Sequence, residues 1–276
     1  MSNKLVQVGI PVFNFTNDFL KLINNLLQQT HQRLIIKICA DKPRPVEFLF
    51  PDDPRIVFEE NLRNIGVYNN TIKVLTPISE TVDFTCLISD DDYVETNYLE
   101  KLLWFHGANI IDVVVPIFQI TKAYPNKNFV SIRVPDYFGI DDIKSAATSR
   151  AKMNHIQFGM WKISERFVDK LWNFPEFPNK PTFRYSSADR LLVLGLCHEN
   201  IRTKTCTSAV YYKYYDRPRI YRWLEAPKIL NFSLNILHII NKVQPLGTHF
   251  CLKWSIKKIY EIISYKIYHI INDKNS

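Results

Sequence analysis

The sequence predicts a three-layer α/β/α fold around a mostly parallel mixed sheet, followed by a helical extension at the C-terminal end. Two observations carry this. Over the first 120 residues, short apolar, β-branched runs alternate with segments whose apolar residues recur at helical spacing. Near Arg217 the composition shifts, and basic and apolar residues begin to intermix, with no Pro/Gly/Ser-rich linker or internal repeat before that point. The expected division is therefore a domain over 1–216 and a basic amphipathic extension over 217–276. At 276 residues, 46% hydrophobic and 22% charged, the chain has ordinary globular composition and enough length for a full core.

The elements follow in order. Lys4 to Pro11 (KLVQVGIP) reads as a strand, and Asn17 to Gln29 as a helix with Phe19, Leu20, Leu22, Ile23, Leu26 and Leu27 on one side. Leu34 to Cys39 and Arg55 to Phe58 are the next strands, Val67 to Leu75 a helix, and Asp83 to Ser89 a fourth strand. A helix from Asn97 to Phe105 is expected to open on Asn97 as N-cap with Glu100 three residues on, close to a capping box. Ile110 to Ile120 is apolar and strand-like, and the stretch from there to Ser149 reads as irregular. Ile163 to Leu171 and Ser187 to Leu196 read as helices separated by a Pro- and Phe-rich loop.

In a parallel sheet of this kind, ligands bind beyond the carboxyl ends of the strands. The polar residues there become candidates: Asn14 after the first strand, Asp41 after the second, Asn61, Arg63 and Asn64 after the third, and Asp90, Asp91 and Asp92 after the fourth. Seven glycines form neither a G-x-G-x-x-G loop nor a P-loop, and no G-x-S-x-G elbow is present. A phosphate held at this edge would need a metal, and the three adjacent carboxylates could supply it for Mg2+ or Mn2+.

Several of these segments together resemble a known family. Val8-Gly9-Ile10-Pro11-Val12-Phe13-Asn14, then Asp41, then Asn61 to Gly66 (NLRNIG), then Ser89-Asp90-Asp91-Asp92, then Ala188-Asp189 resemble the ordered landmarks of family 2 nucleotide-sugar glycosyltransferases with the GT-A fold. The resemblance spans roughly residues 5–200. It implies that Asp41 recognises the nucleotide base, commonly uracil, and that the segment around Pro11 and Asn14 wraps the nucleoside. It implies Asp90 at the ribose, Asp91 at the divalent metal with Asp92, one residue on, as the other candidate ligand, and Asp189 as the catalytic base. By their place after the third strand Arg63 and Asn64 are donor-binding candidates, Arg63 either contacting the diphosphate or pairing with Glu59 or Glu60 on the surface. Two departures stand out: many members read D-x-D-D where this chain has SDDD, and Ala188 replaces the usual Glu. The implied reaction is metal-dependent, inverting sugar transfer to a hydroxyl of a glycan or lipid-linked acceptor. Sugar nucleotidyltransferases are the nearest alternative, but their Gly-rich N-terminal signature is missing from VGIPVFN.

The charge of +8 is unevenly placed. Residues 201–276 hold 13 Lys/Arg against 4 Asp/Glu, leaving 22 against 23 in residues 1–200. A nucleic-acid-binding surface is therefore not expected on the main domain, whereas the tail could meet an anionic membrane surface. Arg219-Ile220-Tyr221-Arg222-Trp223 resembles the Q-x-x-R-W signature of processive polysaccharide synthases with Arg219 in place of Gln. The apolar stretches of the tail are too interrupted to span a bilayer, so a non-processive enzyme is expected. Five scattered cysteines without a C-x-x-C pair suit reduced thiols and a cytoplasmic protein, peripheral on the inner face of the plasma membrane if the tail engages lipid.

Overall fold

The computed structural model describes residues 3–121, 129–139, 141–142, 153–173, 193, 195–197 and 200–213. Ten described strands form one mixed sheet. Its parallel part is built by β1 (Val6–Val12), β2 (Leu34–Ala40), β3 (Ile56–Glu60) and β4 (Phe84–Leu87), with helices α1 (Asn17–Leu27) and α2 (Val67–Leu75) as crossovers. Then follow β5 (Tyr93–Val94), α3 (Tyr98–Gly107), β6 (Val113–Thr121), β7 (Phe129–Ile132), β8 (Tyr137–Phe138), β9 (Met160–Lys162), α4 (Glu165–Trp172) and β10 (Arg202–Lys213). The strands lie in the order β3-β2-β1-β4-β9-β6-β10-β5, with β7 beside β6 and β8 beside β10.

The register keeps β1 central, with Val8 opposite Ile36 on one side and Cys86 on the other. Val6, Val8, Ile10, Ile36 and Ile38 are all buried, as near-continuous apolar strands covered on both faces require. Helix α1 starts where the Thr16 hydroxyl accepts from the Phe19 amide at 3.2 Å, and it buries Phe19, Leu22, Ile23 and Leu26. Right-handed crossovers place α1 and α2 on opposite faces, because the chain moves one way from β1 to β3 and the other way to reach β4.

Two polar residues inside the apolar strands are explained by α2. Gln7 Nε2 donates to the carbonyls of Val74 (2.8 Å) and Thr76 (3.0 Å), and its Oε1 accepts from the Ile78 amide. Lys37 Nζ donates to the carbonyls of Lys73 (2.8 Å) and Thr76 (3.0 Å). Both side chains thus satisfy carbonyls that the end of a helix leaves without partners. Burial pulls the Lys37 ammonium below its usual pKa. Between them, Gly9 lets α2 lie on the sheet: a Cβ there would stand 2.6 Å from the Val74 carbonyl oxygen.

The sequence reading locates the parallel half and misses much of the rest. The stretch after residue 121, expected to be irregular, contains β7 and β8. The segment expected as a helix from Ile163 is preceded by β9, and the helix itself begins at Glu165 with the Ser164 hydroxyl as cap. β10 is the largest omission. Its register against β6 breaks between Cys206↔Pro116 and Val210↔Ile117, so Thr207–Ala209 bulge out beside a proline that has no N–H for the ladder. The capping box at Asn97 does not form: the Asn97 side chain makes no capping bond, and Glu100 instead accepts from the Thr30 hydroxyl at 2.6 Å. Of the expected helix over Ser187–Leu196, Val193 and Leu196 are described and buried. The extension over 217–276 lies outside the described residues.

Candidate active site

The order β3-β2-β1-β4 puts the topological switch between β1 and β4, where the connections leave in opposite directions, the place at the carboxyl edge where sheets of this kind bind ligands. The backbone is knitted tightly there. Asp41 N donates to the Val12 carbonyl at 2.9 Å, Asn61 N to the Ala40 carbonyl at 2.9 Å, and Ile88 N to the Gly9 carbonyl at 3.0 Å. Since Val12 faces β2, Pro11 and Phe13 face the β4 side, and the pairing of β1 with β4 ends at Gly9↔Leu87. The missing N–H of Pro11 therefore costs no ladder bond. The Phe13 amide, left over by the same geometry, donates to the Asp90 carboxylate and ties the β4 loop to the end of β1.

Asp41 is buried at the end of β2. Its Oδ1 accepts from Asn61 Nδ2 at 2.7 Å and from the Ile65 amide at 3.2 Å. Asn61 in turn donates to Asn70 Oδ1 (3.0 Å) and accepts from Lys73 Nζ (2.8 Å), and Asn70 Nδ2 donates to the Cys39 carbonyl (2.8 Å). The acid thus holds the β3–α2 loop against β2. In that loop Asn64 Oδ1 accepts from the Gly66 amide, with Gly66 at φ 84°, a conformation that favours glycine, just ahead of α2. Arg63 is exposed. Glu59, on the neighbouring strand end, pairs with Lys73 at 3.0 Å, and Glu60 accepts from the Arg44 amide at 3.2 Å. Asn14 is exposed beyond β1, with Lys42 Nζ at 3.5 Å from its Oδ1 and 3.9 Å above the Phe13 ring.

The three consecutive acids divide into different environments. Asp90 is half-buried, and its pKa is pushed up to about 7, first by burial and then by the Asp91 charge, while the amides of Phe13 and Asp90 pull the other way. Asp91 is exposed. Asp92, expected to share the metal, turns inward: its side chain is 0% exposed, and Oδ2 accepts from the Tyr211 hydroxyl at 2.7 Å and from Lys213 Nζ at 3.2 Å. The Tyr211 hydroxyl also accepts from the Ser89 amide at 3.0 Å, and Asp92 N donates to the Ser89 carbonyl at 3.2 Å. One phenol, itself raised well above its ordinary pKa by burial and then by the Asp92 charge, closes the Ser89–Asp92 turn from beneath. Lys213 lies 4.2 Å from the centre of the Phe158 ring, on the same buried support.

Asp41, Asn61, Asn64, Asp90 and Asp91 therefore share one sheet edge, while Asp189 lies outside the described residues. Tyr211 and Lys213 are the supports that sequence reasoning missed. Their signal was SAVYYK, an apolar and aromatic run ending in a lysine, which reads as a strand only once its partner β6 is known. Among the described residues no group of three or more His, Cys, Asp and Glu side chains could hold a metal by itself. Nor is any described helix long and apolar enough to cross a membrane. Four described cysteines, Cys39, Cys86, Cys197 and Cys206, are free and buried.

Comparison of the sequence with protein-family models and with curated proteins finds no match. Solved structures do match in fold. S. aureus TarS 1-349 superposes with a TM-score of 0.60 at 13% identity, covering 91% of this chain and 70% of that one. The same fragment in complex with UDP gives a TM-score of 0.58 at 14% identity, over 91% and 69% of the two chains. Its complex with UDP-GlcNAc gives 0.60 at 12% identity, over 91% and 70%. The chain thus has a GT-A-like glycosyltransferase fold.

Proposed function

We propose that this chain is an inverting, non-processive hexosyltransferase that moves a sugar from a nucleotide-sugar donor, a UDP-sugar, to a hydroxyl of a glycan or lipid-linked acceptor in surface polysaccharide biosynthesis. The observation that carries this reading is the meeting of the Asp41 network and the Ser89–Asp92 turn at the switch point of the sheet. Fold neighbours that bind UDP and UDP-GlcNAc support the donor class.

In this reading Asp41, oriented by Asn61 and the Ile65 amide, accepts from the base, while Pro11 and Asn14 border the nucleoside. Asp90, fixed by the Phe13 amide, faces the ribose, and the exposed Arg63 and Asn64 flank the donor. The carboxylates fit Mg2+ or Mn2+, which take oxygen donors and commonly use one or two protein carboxylates with the substrate's phosphates. Asp91, with Asp90 beside it, would hold the ion, which when bound supplies charge neutralisation to the leaving diphosphate. Asp92 serves as the anchor of the turn. Asp189 takes the proton of the acceptor hydroxyl, a contribution typically worth ~10²–10⁴ in rate. The family 2 assignment, a cytoplasmic location, and peripheral attachment of the 217–276 extension to the inner face of an anionic membrane belong to the same proposal.

The test is a thermal-shift screen of nucleoside diphosphates and nucleotide sugars with and without Mn2+, followed by assay of nucleoside-diphosphate release. The reading expects metal-dependent stabilisation by UDP or a UDP-sugar. Failure of every nucleotide to stabilise the protein overturns it.

A further inference from the structure

The edge strand next to the acidic turn carries a feature that the donor site does not use. Tyr93 directly follows Asp92, and in the antiparallel pairing of β5 with β10 it stands opposite Tyr212. The two rings are 5.8 Å apart, tilted by 51°. Along residues 91–94 exposure alternates: Asp91 and Tyr93 are exposed, Asp92 and Val94 buried. Tyr211, the neighbour of Tyr212, points to the buried side and holds Asp92. The β5–β10 ribbon therefore has a buried side that braces the turn and an outer side that presents two phenol rings.

We infer that Tyr93, backed by Tyr212, is a stacking platform for a pyranose ring of the acceptor, so that the acceptor presents a cyclic sugar and not an open-chain polyol. The inference rests on the proposed transferase reading for its place in the reaction. Asp91 and Tyr93 are two residues apart, where the Ser89–Asp92 turn runs into β5, so their Cα atoms lie within roughly 7 Å of each other, about the width of one sugar ring. A ring lying on Tyr93 is thus one sugar away from the carboxylate assigned to the donor's diphosphate. A pyranose has a flat apolar C–H face and a rim of hydroxyls. Tyr answers both, with an apolar ring face and a polar tip, and its two side-chain torsions cost little entropy to fix. A cross-strand aromatic pair also stabilises a hairpin edge without any ligand, and the test separates that role from binding.

Saturation-transfer NMR on the full chain, with a panel of methyl pyranosides, chitotriose and, as the open-chain control, glucitol, reads binding directly. Tyr93→Thr removes the ring but keeps a strong strand former, and Tyr93→Phe keeps the ring. The expected result is that at least one pyranoside receives saturation at its ring C–H protons and that glucitol receives none. Affinity for that pyranoside should fall roughly 5- to 10-fold in Tyr93→Thr and hold in Tyr93→Phe. No pyranoside binding to wild type, glucitol binding as well as the rings do, or equal binding by Tyr93→Thr would each overturn the platform. UDP with Mn2+ is run in parallel by thermal shift on all three proteins. An intact UDP shift beside absent glycoside binding sinks the platform alone. A missing UDP shift in wild type sinks the transferase reading, and the glycoside arm then decides the platform independently.

Discussion

The hydroxyl of Tyr211 donates to Asp92 Oδ2 at 2.7 Å, joining residues 119 apart in sequence and closing the acidic turn from within the core. Because the same oxygen accepts from the Ser89 amide, Tyr211→Phe leaves a buried carboxylate and a backbone amide each short of a partner. A loss of about 2 kcal/mol in urea-derived stability is expected, together with weaker nucleotide binding by titration calorimetry. Unchanged values for both would remove Tyr211 from the support of the site.

Asp91 and Asp92 should respond differently despite being neighbours. Asp91→Ala is expected to keep its melting temperature in the absence of ligand and to lose the Mn2+-dependent part of stabilisation by UDP. Asp92→Asn is expected to lower the ligand-free melting temperature, because it strips Lys213 of its buried counter-charge. The measurement is a set of paired thermal melts with and without Mn2+ and UDP. Metal-dependent stabilisation that survives in Asp91→Ala would sink the metal assignment.

Gly9→Ala probes the seating of α2. Its Cβ would come within 2.6 Å of the Val74 carbonyl oxygen and 2.9 Å of the carbonyl carbon, and backbone atoms at a helix end cannot move aside cheaply. Destabilisation of ~1–3 kcal/mol is expected from such overpacking, measured by urea unfolding.

Asp83 gives a pH dependence with a definite sign. Burial alone would raise its pKa, but hydrogen bonds from Lys4 Nζ at 2.9 Å and the Leu5 amide at 2.8 Å, with the Lys4 and Arg33 charges, outweigh it and hold the carboxyl below its usual value. Its contribution is therefore fully present above the unfolded-state pKa of about 3.9 and is lost as pH falls through the lower folded value. Asp83→Asn should cost about 1–2 kcal/mol at pH 7, and its stability should converge with wild type in acid, as read from urea melts at pH 7, 4 and 2.5. A gap that stays constant to pH 2.5 contradicts the assignment.

Much of the parallel half was legible because its signals are local. The run KLVQVGIP, the periodic Phe19 to Leu26 and the turn residues after each strand declare themselves within a few positions. Asp41, Asn64 and the SDDD cluster stood out as polar residues at strand ends for the same reason. The antiparallel half was not legible. β5 and β8 are two residues long, β9 three, and β10 is a mixed run broken by a bulge opposite Pro116. Such strands exist because of their partners, and periodicity does not report them.

The sequence by itself determined the alternation of strands and helices, the collection of acids at one sheet edge, and the confinement of net positive charge to the C-terminal end. Only the tertiary structure decided which acid does what. Three adjacent aspartates are chemically equal on paper, and they become unequal when Phe13 N meets Asp90, Asp91 stays exposed, and a tyrosine and a lysine from β10 bind the buried Asp92. The physical reason is that burial and hydrogen-bond partners, which set a carboxylate's charge and availability, come here from residues far apart in the chain.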